Sequence, residues 1–189
     1  MSVEVIYYII LSLLSFDNAQ GIDKSHIMDV SKAIHKHSTS SVPAVRLISL
    51  AYNESRFGYK GKKVISNMGA CGIYQQIPKW SPIKTTCKKL NTSVDHSTKV
   101  AVATLGRMID RWDIKGSKNM DSRMCHYYSG NRCDDEARAY SKRHRKIRLK
   151  AINLSKKKYK SKIAKKSKSK KSNTNSKPKY RMPPRYMTL

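Results

Sequence analysis

Ser41-Val-Pro-Ala-Val-Arg-Leu-Ile-Ser-Leu-Ala-Tyr-Asn-Glu54 is the stretch on which the reading of this chain turns. Ala44, Leu47, Ile48 and Ala51 recur at helical spacing and predict one buried stripe. Ser41 is placed to cap that helix, and Pro43 is tolerated at its start. Glu54 follows Ala51 by three residues, so it falls at the end of the helix, on or beside the buried face. A carboxylate there is costly unless it is paired or used.

Working outward, residues 23–37 set Ile27, Val30, Ala33 and Ile34 on one face and predict an amphipathic helix, broken by Ser38 to Ser41. Residues 58–82 hold Gly58, Gly61, Gly69, Gly72, Pro78 and Pro82 and read as irregular loops. From Val94 to Trp112 the helical period returns through Ala101, Leu105, Met108 and Trp112. A further helix is expected from about Asp134, opened by Asp134, Asp135 and Glu136 at the positive end of its dipole. Its apolar face is intermittent: Ala137, Tyr140, Ile147 and Ala151. Beyond Leu154 the chain is rich in Lys and Ser, with too little apolar content to offset ordering entropy, and disorder is expected. The fold class expected is mainly α, with no internal repeat.

Charge divides the chain in the same way. The 189 residues carry a net charge of +28, of which Lys142 to Leu189 supply +20 from 20 basic residues and no acidic one. A moderately basic body is thus joined to a polycationic tail. Anionic envelope polymers, lipid headgroups and nucleic acid all suit such a tail, and Tyr159, Tyr180 and Tyr186 are available for stacking on bases. Composition does not separate them.

The start, Met1 to Phe16, is an apolar run of signal-peptide length, too short for a comfortable membrane span. Glu4 and the absence of Lys and Arg at its start depart from an export signal. An uncleaved anchor and a buried N-terminal helix or strand are the other readings. The organisation expected is a leader at 1–20, a globular domain at 22–141, a basic helical extension at 142–154 and a disordered tail at 155–189.

Cys71, Cys87, Cys125 and Cys133 have local spacings of 16 and 8. In an exported chain the simplest pairing is 71 with 87 and 125 with 133, each closing a short loop. Reduced, buried thiols are the alternative. No Cys-x-x-Cys spacing occurs, His126 merely adjoins Cys125, and the His residues form no ligand array, so neither metal nor cofactor is expected.

Three segments stand out together: Ala51-Tyr-Asn-Glu54-Ser55-Arg-Phe57, Ser66-Asn-Met-Gly69-Ala70-Cys-Gly72-Ile-Tyr-Gln75-Gln-Ile-Pro78, and His126-Tyr127-Tyr-Ser-Gly130. In order and approximate spacing they resemble the transglycosylase domain of soluble lytic murein transglycosylases, a lysozyme-like group related in fold to goose-type lysozyme. The resemblance covers roughly residues 40 to 140. Its middle motif is the specific part, with Gly69, Ala70, Gly72, Gln75 and Pro78 in register. About three extra residues around Tyr59 to Lys63 separate Glu54 from Gly69, and Tyr128 stands where the family has Asn.

The resemblance implies a lysozyme-like domain that cleaves the MurNAc-GlcNAc bond of peptidoglycan glycan strands. Glu54 would be the single acid/base, and the muramoyl 6-hydroxyl the internal nucleophile that closes a 1,6-anhydro ring. It implies that Ser55 and Gln75 contact substrate or steady the cleft, and that Tyr127 bonds or orients Glu54. Gly69 and Gly72 would let backbone turn sharply or approach the sugar. The residues themselves agree: the only Glu are 4, 54 and 136, and no Asp lies between Asp29 and Asp95, so the second carboxylate of most glycosidases is not evident in sequence. Two other functions stay open. One is a hydrolytic muramidase using Asp113 or Asp95 with a water; the other is a polycationic envelope- or nucleic-acid-binding protein with an inactive domain. A periplasmic or secreted location follows from an export signal, and a virion-associated one from a tail that holds nucleic acid. Trp112 reads as core, and Trp80 as core or sugar platform.

Overall fold

The structure is a computed structural model and describes residues 1–60, 65–112, 116–130 and 132–172. It is mainly helical, and no strand longer than an isolated bridge occurs among the described residues. The chain divides into two units, residues 1–155 and 156–189.

In the first unit, α1 (Val3–Phe16) contains the apolar N-terminal run, and Val5, Ile6, Ile9, Ile10, Leu13 and Leu14 are all fully buried. Each such side chain contributes about 2 kcal/mol by leaving water. In this structure the apolar run is a helix packed into the core. No described helix is long and apolar enough to cross a membrane.

Helix α2 (Lys24–His37) starts where Asp23 accepts a hydrogen bond from the His26 amide at 3.0 Å, and it buries Ile27, Val30, Ala33 and Ile34 as the spacing predicts. Helix α3 (Ala44–Ser55) buries Leu47, Ile48 and Ala51. Ser41 does not cap it: the N-cap position is Pro43, with no side-chain bond, and it is Thr39 that takes the Val42 amide. The fixed φ of Pro43 sets up the first turn without a capping side chain.

Short α4 (Cys87–Thr92) leads into α5 (Val94–Trp112), followed by α6 (Gly116–Arg123), α7 (Cys125–Ser129) and α8 (Asp135–Ser172). Asp134 accepts from the Ala137 amide at 2.8 Å and opens α8. Side chains of α1, α2, α3, α5 and α8 share one apolar core with Phe57 and Tyr74. Helix α8 continues past Leu154, so the segment just after Leu154 is helical where the tail was expected to begin. Lysine is a good helix former, and an intact helix before it removes the nucleation step. Residues 173–189 lie outside the described residues.

Two disulfides, Cys71–Cys87 and Cys125–Cys133, have the expected pairing and suit an oxidising compartment. A buried ionic triad joins three elements: Asp121 of α6 receives the guanidinium of Arg46 from α3, and that of Arg148 from α8 at 2.9 and 3.1 Å through Nε. Burial pushes Asp121 up, but the Arg148 hydrogen bonds and the Arg46 charge outweigh it and hold the carboxyl below its usual range. The triad fixes α8 against α3, which positions the site.

Candidate active site

The C-terminal turn of α3 presents Glu54. The helix stops there because Arg56 and Phe57 both adopt positive φ, 53° and 63°, and turn the chain into a 3-10 turn at Arg56–Gly58. Ser55 Oγ donates to the Ile73 carbonyl at 2.8 Å, tying the end of α3 to the loop that follows. That loop is a small double hairpin: Cys71 bridges to Ile65 on one side and to Gln76 on the other.

Gly72 sits at φ 76°, and a Cβ there would lie 2.6 Å from the Leu90 carbonyl and 2.9 Å from Ser97 Oγ. Only glycine lets the hairpin seat against α4 and α5. Gly69 also has positive φ, in open space. Gln75 is itself at φ 46°, and its Nε2 donates to the Gly72 carbonyl at 3.0 Å. The glycines and Gln75 thus shape the hairpin, and Ser55 anchors it.

Two tyrosines lie beside the carboxylate. Tyr140 of α8 donates its hydroxyl to Glu54 Oε1. Tyr127 of α7 donates to the Tyr74 carbonyl at 2.9 Å. Burial first, and then the charge of Glu54, push both the Tyr140 and Tyr127 hydroxyls well above the usual phenol range. Tyr127 therefore lies near Glu54 but does not bond to it; the bonding hydroxyl is that of Tyr140. Sequence reasoning took Tyr140 only as part of the apolar face of α8, since a tyrosine at helical spacing carries no sign of where its hydroxyl ends.

Glu54 is pushed up to about 7 by burial, with the Tyr140 hydrogen bond opposing part of the rise. A carboxyl so tuned is partly protonated near neutrality and can both give and take a proton. No second carboxylate bonds to it among the described residues. Glu136 accepts from the Tyr128 hydroxyl at 2.6 Å, and Tyr128 stacks on Tyr140 with centroids 5.1 Å apart. Asp95 is held by Lys36 at 3.0 Å and His37 at 2.9 Å. Asp113 lies outside the described residues.

A groove of about 560 Å³ does not contain Glu54. It runs past His26, Lys32, Asn91 and Asp95 and meets the hairpin at Gly72 and Ile73. Carboxylate environment and groove volume thus point to different places, and the environment is the chemical mark, since it alone tunes a proton donor. Trp80 is 64% exposed, whereas Trp112 is half-buried and stacks on His126 with centroids 4.2 Å apart. Comparison with protein-family models, with curated proteins and with solved structures finds no match to this chain.

Proposed function

We propose that the protein is a peptidoglycan lytic transglycosylase with a lysozyme-like domain, using Glu54 alone as acid and then base. The observation that carries the reading is Glu54 itself: a half-buried carboxyl at about 7, steadied by Tyr140, with no bonded second carboxylate among the described residues. The three ordered motifs around Glu54, Gly69 to Pro78 and Tyr127 support it independently.

In this reading the Glu54 proton goes to the glycosidic oxygen as the bond to the MurNAc anomeric carbon breaks. The carboxylate then takes the proton of the muramoyl 6-hydroxyl as that oxygen bonds to the same carbon. No water is consumed, and an internal nucleophile at high effective concentration stands in for the second carboxylate. Ser55 and Gln75 act through the hairpin they hold, and exposed Trp80 offers a face for sugar stacking.

The disulfides suit a periplasmic or secreted enzyme, and the lysine-rich end of the chain suits anionic envelope polymers there; in a virion the same end suits nucleic acid. The test is mass spectrometry of muropeptides released from sacculi by the full chain and by Glu54→Gln. Products in the 1,6-anhydro form, lighter by one water and absent with the variant, are expected. Reducing-end products mean a hydrolytic muramidase, and no products at any protein concentration mean a binding protein.

A further inference from the structure

Helix α8 carries apolar side chains off its core-facing stripe. Leu149 is 44% exposed, Tyr159 44% and Ile163 68%, and Ile152 between them is half-buried. At 3.6 residues per turn these residues fall within an arc of about 80°. That arc lies roughly 150° around the helix from Tyr140, Ile147, Ala151 and Leu154, which make or flank the apolar core. Lysines surround it at 150, 156, 157 and 160, and no acidic residue occurs from Lys142 to the end of the chain. A single exposed apolar side chain needs no explanation. A stripe of them at helical spacing, set in a cationic helix, is the pattern of a helix that lies in the plane of a membrane surface.

We infer that this face of α8 binds the surface of an anionic lipid bilayer, with Leu149, Ile152, Tyr159 and Ile163 at the acyl boundary and the lysines on the headgroup phosphates. Charge alone serves an anionic polymer as well as a bilayer. The apolar stripe separates the two: a polymer of sugars and phosphates leaves Ile163 in water, whereas acyl chains take it out. A second copy of this chain is disfavoured by the same residues. Lys156 falls inside the arc and would meet its counterpart across a helix–helix seam, in a segment that carries +20 from Lys142 onward. Against a bilayer Lys156 is no obstacle, because its stem lies along the apolar surface while its ammonium reaches the headgroups. Tyr159 suits the same depth, with an apolar ring and a polar tip. The inference does not depend on the reaction proposed above.

The test compares the full chain with Tyr159→Gln/Ile163→Gln, which keeps every charge and uses a good helix former. Each is sedimented with vesicles of equal phosphatidylglycerol and phosphatidylcholine, and with vesicles of phosphatidylcholine alone. Each is also eluted by salt from heparin, a polyanion without acyl chains. The wild type should bind the anionic vesicles and bind phosphatidylcholine alone at least about tenfold more weakly. The variant should lose at least about tenfold in affinity for the anionic vesicles and leave heparin at the same salt concentration. Ile163→Leu, which keeps the apolar surface, should bind vesicles as the wild type does. Equal vesicle affinity of wild type and double variant overturns the inference and leaves charge alone, hence a polymer, as the partner. No binding of the wild type to anionic vesicles overturns it too. So does a lipid-free dimer in sedimentation equilibrium that the double variant dissolves, since the stripe would then belong to a second copy.

Discussion

Tyr140, in the second turn of α8, donates its hydroxyl to Oε1 of Glu54, the penultimate residue of α3. The two lie 86 residues apart, and the elements that carry them are joined by the Arg46–Asp121–Arg148 triad. The hydroxyl stabilises the ionised carboxylate, while burial stabilises the protonated one. The value near 7 is the balance of these two effects, with burial the larger.

Tyr140→Phe keeps the ring and removes the donor. Burial is then unopposed, and the Glu54 carboxyl rises above about 7. If the protonated form is the active acid, activity falls as pH rises through that value, so the alkaline limb moves upward in the variant. A hydrogen bond to a charged group is worth about 1.5–3 kcal/mol, enough to move the limb by roughly one pH unit or more. Turnover of sacculi against pH measures it, and a limb that stays in place or moves down refutes the pairing.

Glu54→Gln separates chemistry from stability. Activity should fall about 100-fold or more, as for loss of a general acid/base. Stability should change in the other direction. The folded carboxyl is raised from 4.5 to about 7, so the folded state holds its proton longer and wild-type stability declines as pH climbs through that window. Above it the penalty is on the order of 3 kcal/mol, which the uncharged Gln does not bear. Buried His144 has the opposite sign. Burial, then the Arg46 charge, lowers it to about 3, so its contribution is lost as pH falls from the usual histidine range toward 3. That contribution is common to both proteins and cancels in their difference. Thermal unfolding should show the variant ahead at pH 8 and level at pH 4; equal midpoints at both would contradict the buried charge.

Much of this site was legible because it is local. Glu54 at the end of an apolar stripe, the glycine-rich run after it and the short-range cysteine pairs are all patterns within about 20 residues, where helical period and loop closure act directly. Tyr140 was not legible as a partner, since its hydroxyl meets Glu54 only after α8 has docked. The N-terminal run was ambiguous for a related reason: length and apolarity describe an export signal and a core helix equally. Continuation of α8 past Leu154 was not legible because low apolar content speaks only to burial, whereas lysine-rich sequence can extend a helix already nucleated by packed residues before it.

The hairpin predicts a contrast between two glycines of nearly equal φ. Gly69→Ala adds a methyl in open space, so only left-handed strain opposes it, about 1–2 kcal/mol. Gly72→Ala carries the same strain and must also push the Leu90 carbonyl back from 2.6 Å. It should lose at least about 1 kcal/mol more, a further drop of roughly 2–4 °C in Tm. It should also reduce turnover, because Ile73, the acceptor of Ser55, is the next residue. Equal Tm values for the two variants would mean that the hairpin is not seated on α4 and α5.

The last prediction concerns α1. Leu13 is fully buried, and Asp17, just past the helix, accepts from the Tyr52 hydroxyl at 2.6 Å and pairs with Arg56 at 2.8 Å, both beside Glu54 in sequence. The hydrogen bond and burial together push the Tyr52 hydroxyl up to about 12, burial being the larger cause. Helix α1 is therefore built into the end of the helix that carries the carboxyl. Leu13→Ala in the full chain should cost about 2–5 kcal/mol, the range for removing a buried leucine side chain. Asp17→Asn, which keeps the shape and removes the charge facing Arg56, should cost less, under about 1 kcal/mol, since that pair is partly exposed. Denaturant unfolding of both variants decides the matter: a Leu13→Ala protein as stable as the wild type would mean that the N-terminal segment does not belong to the core, and would return it to the reading of a removable leader.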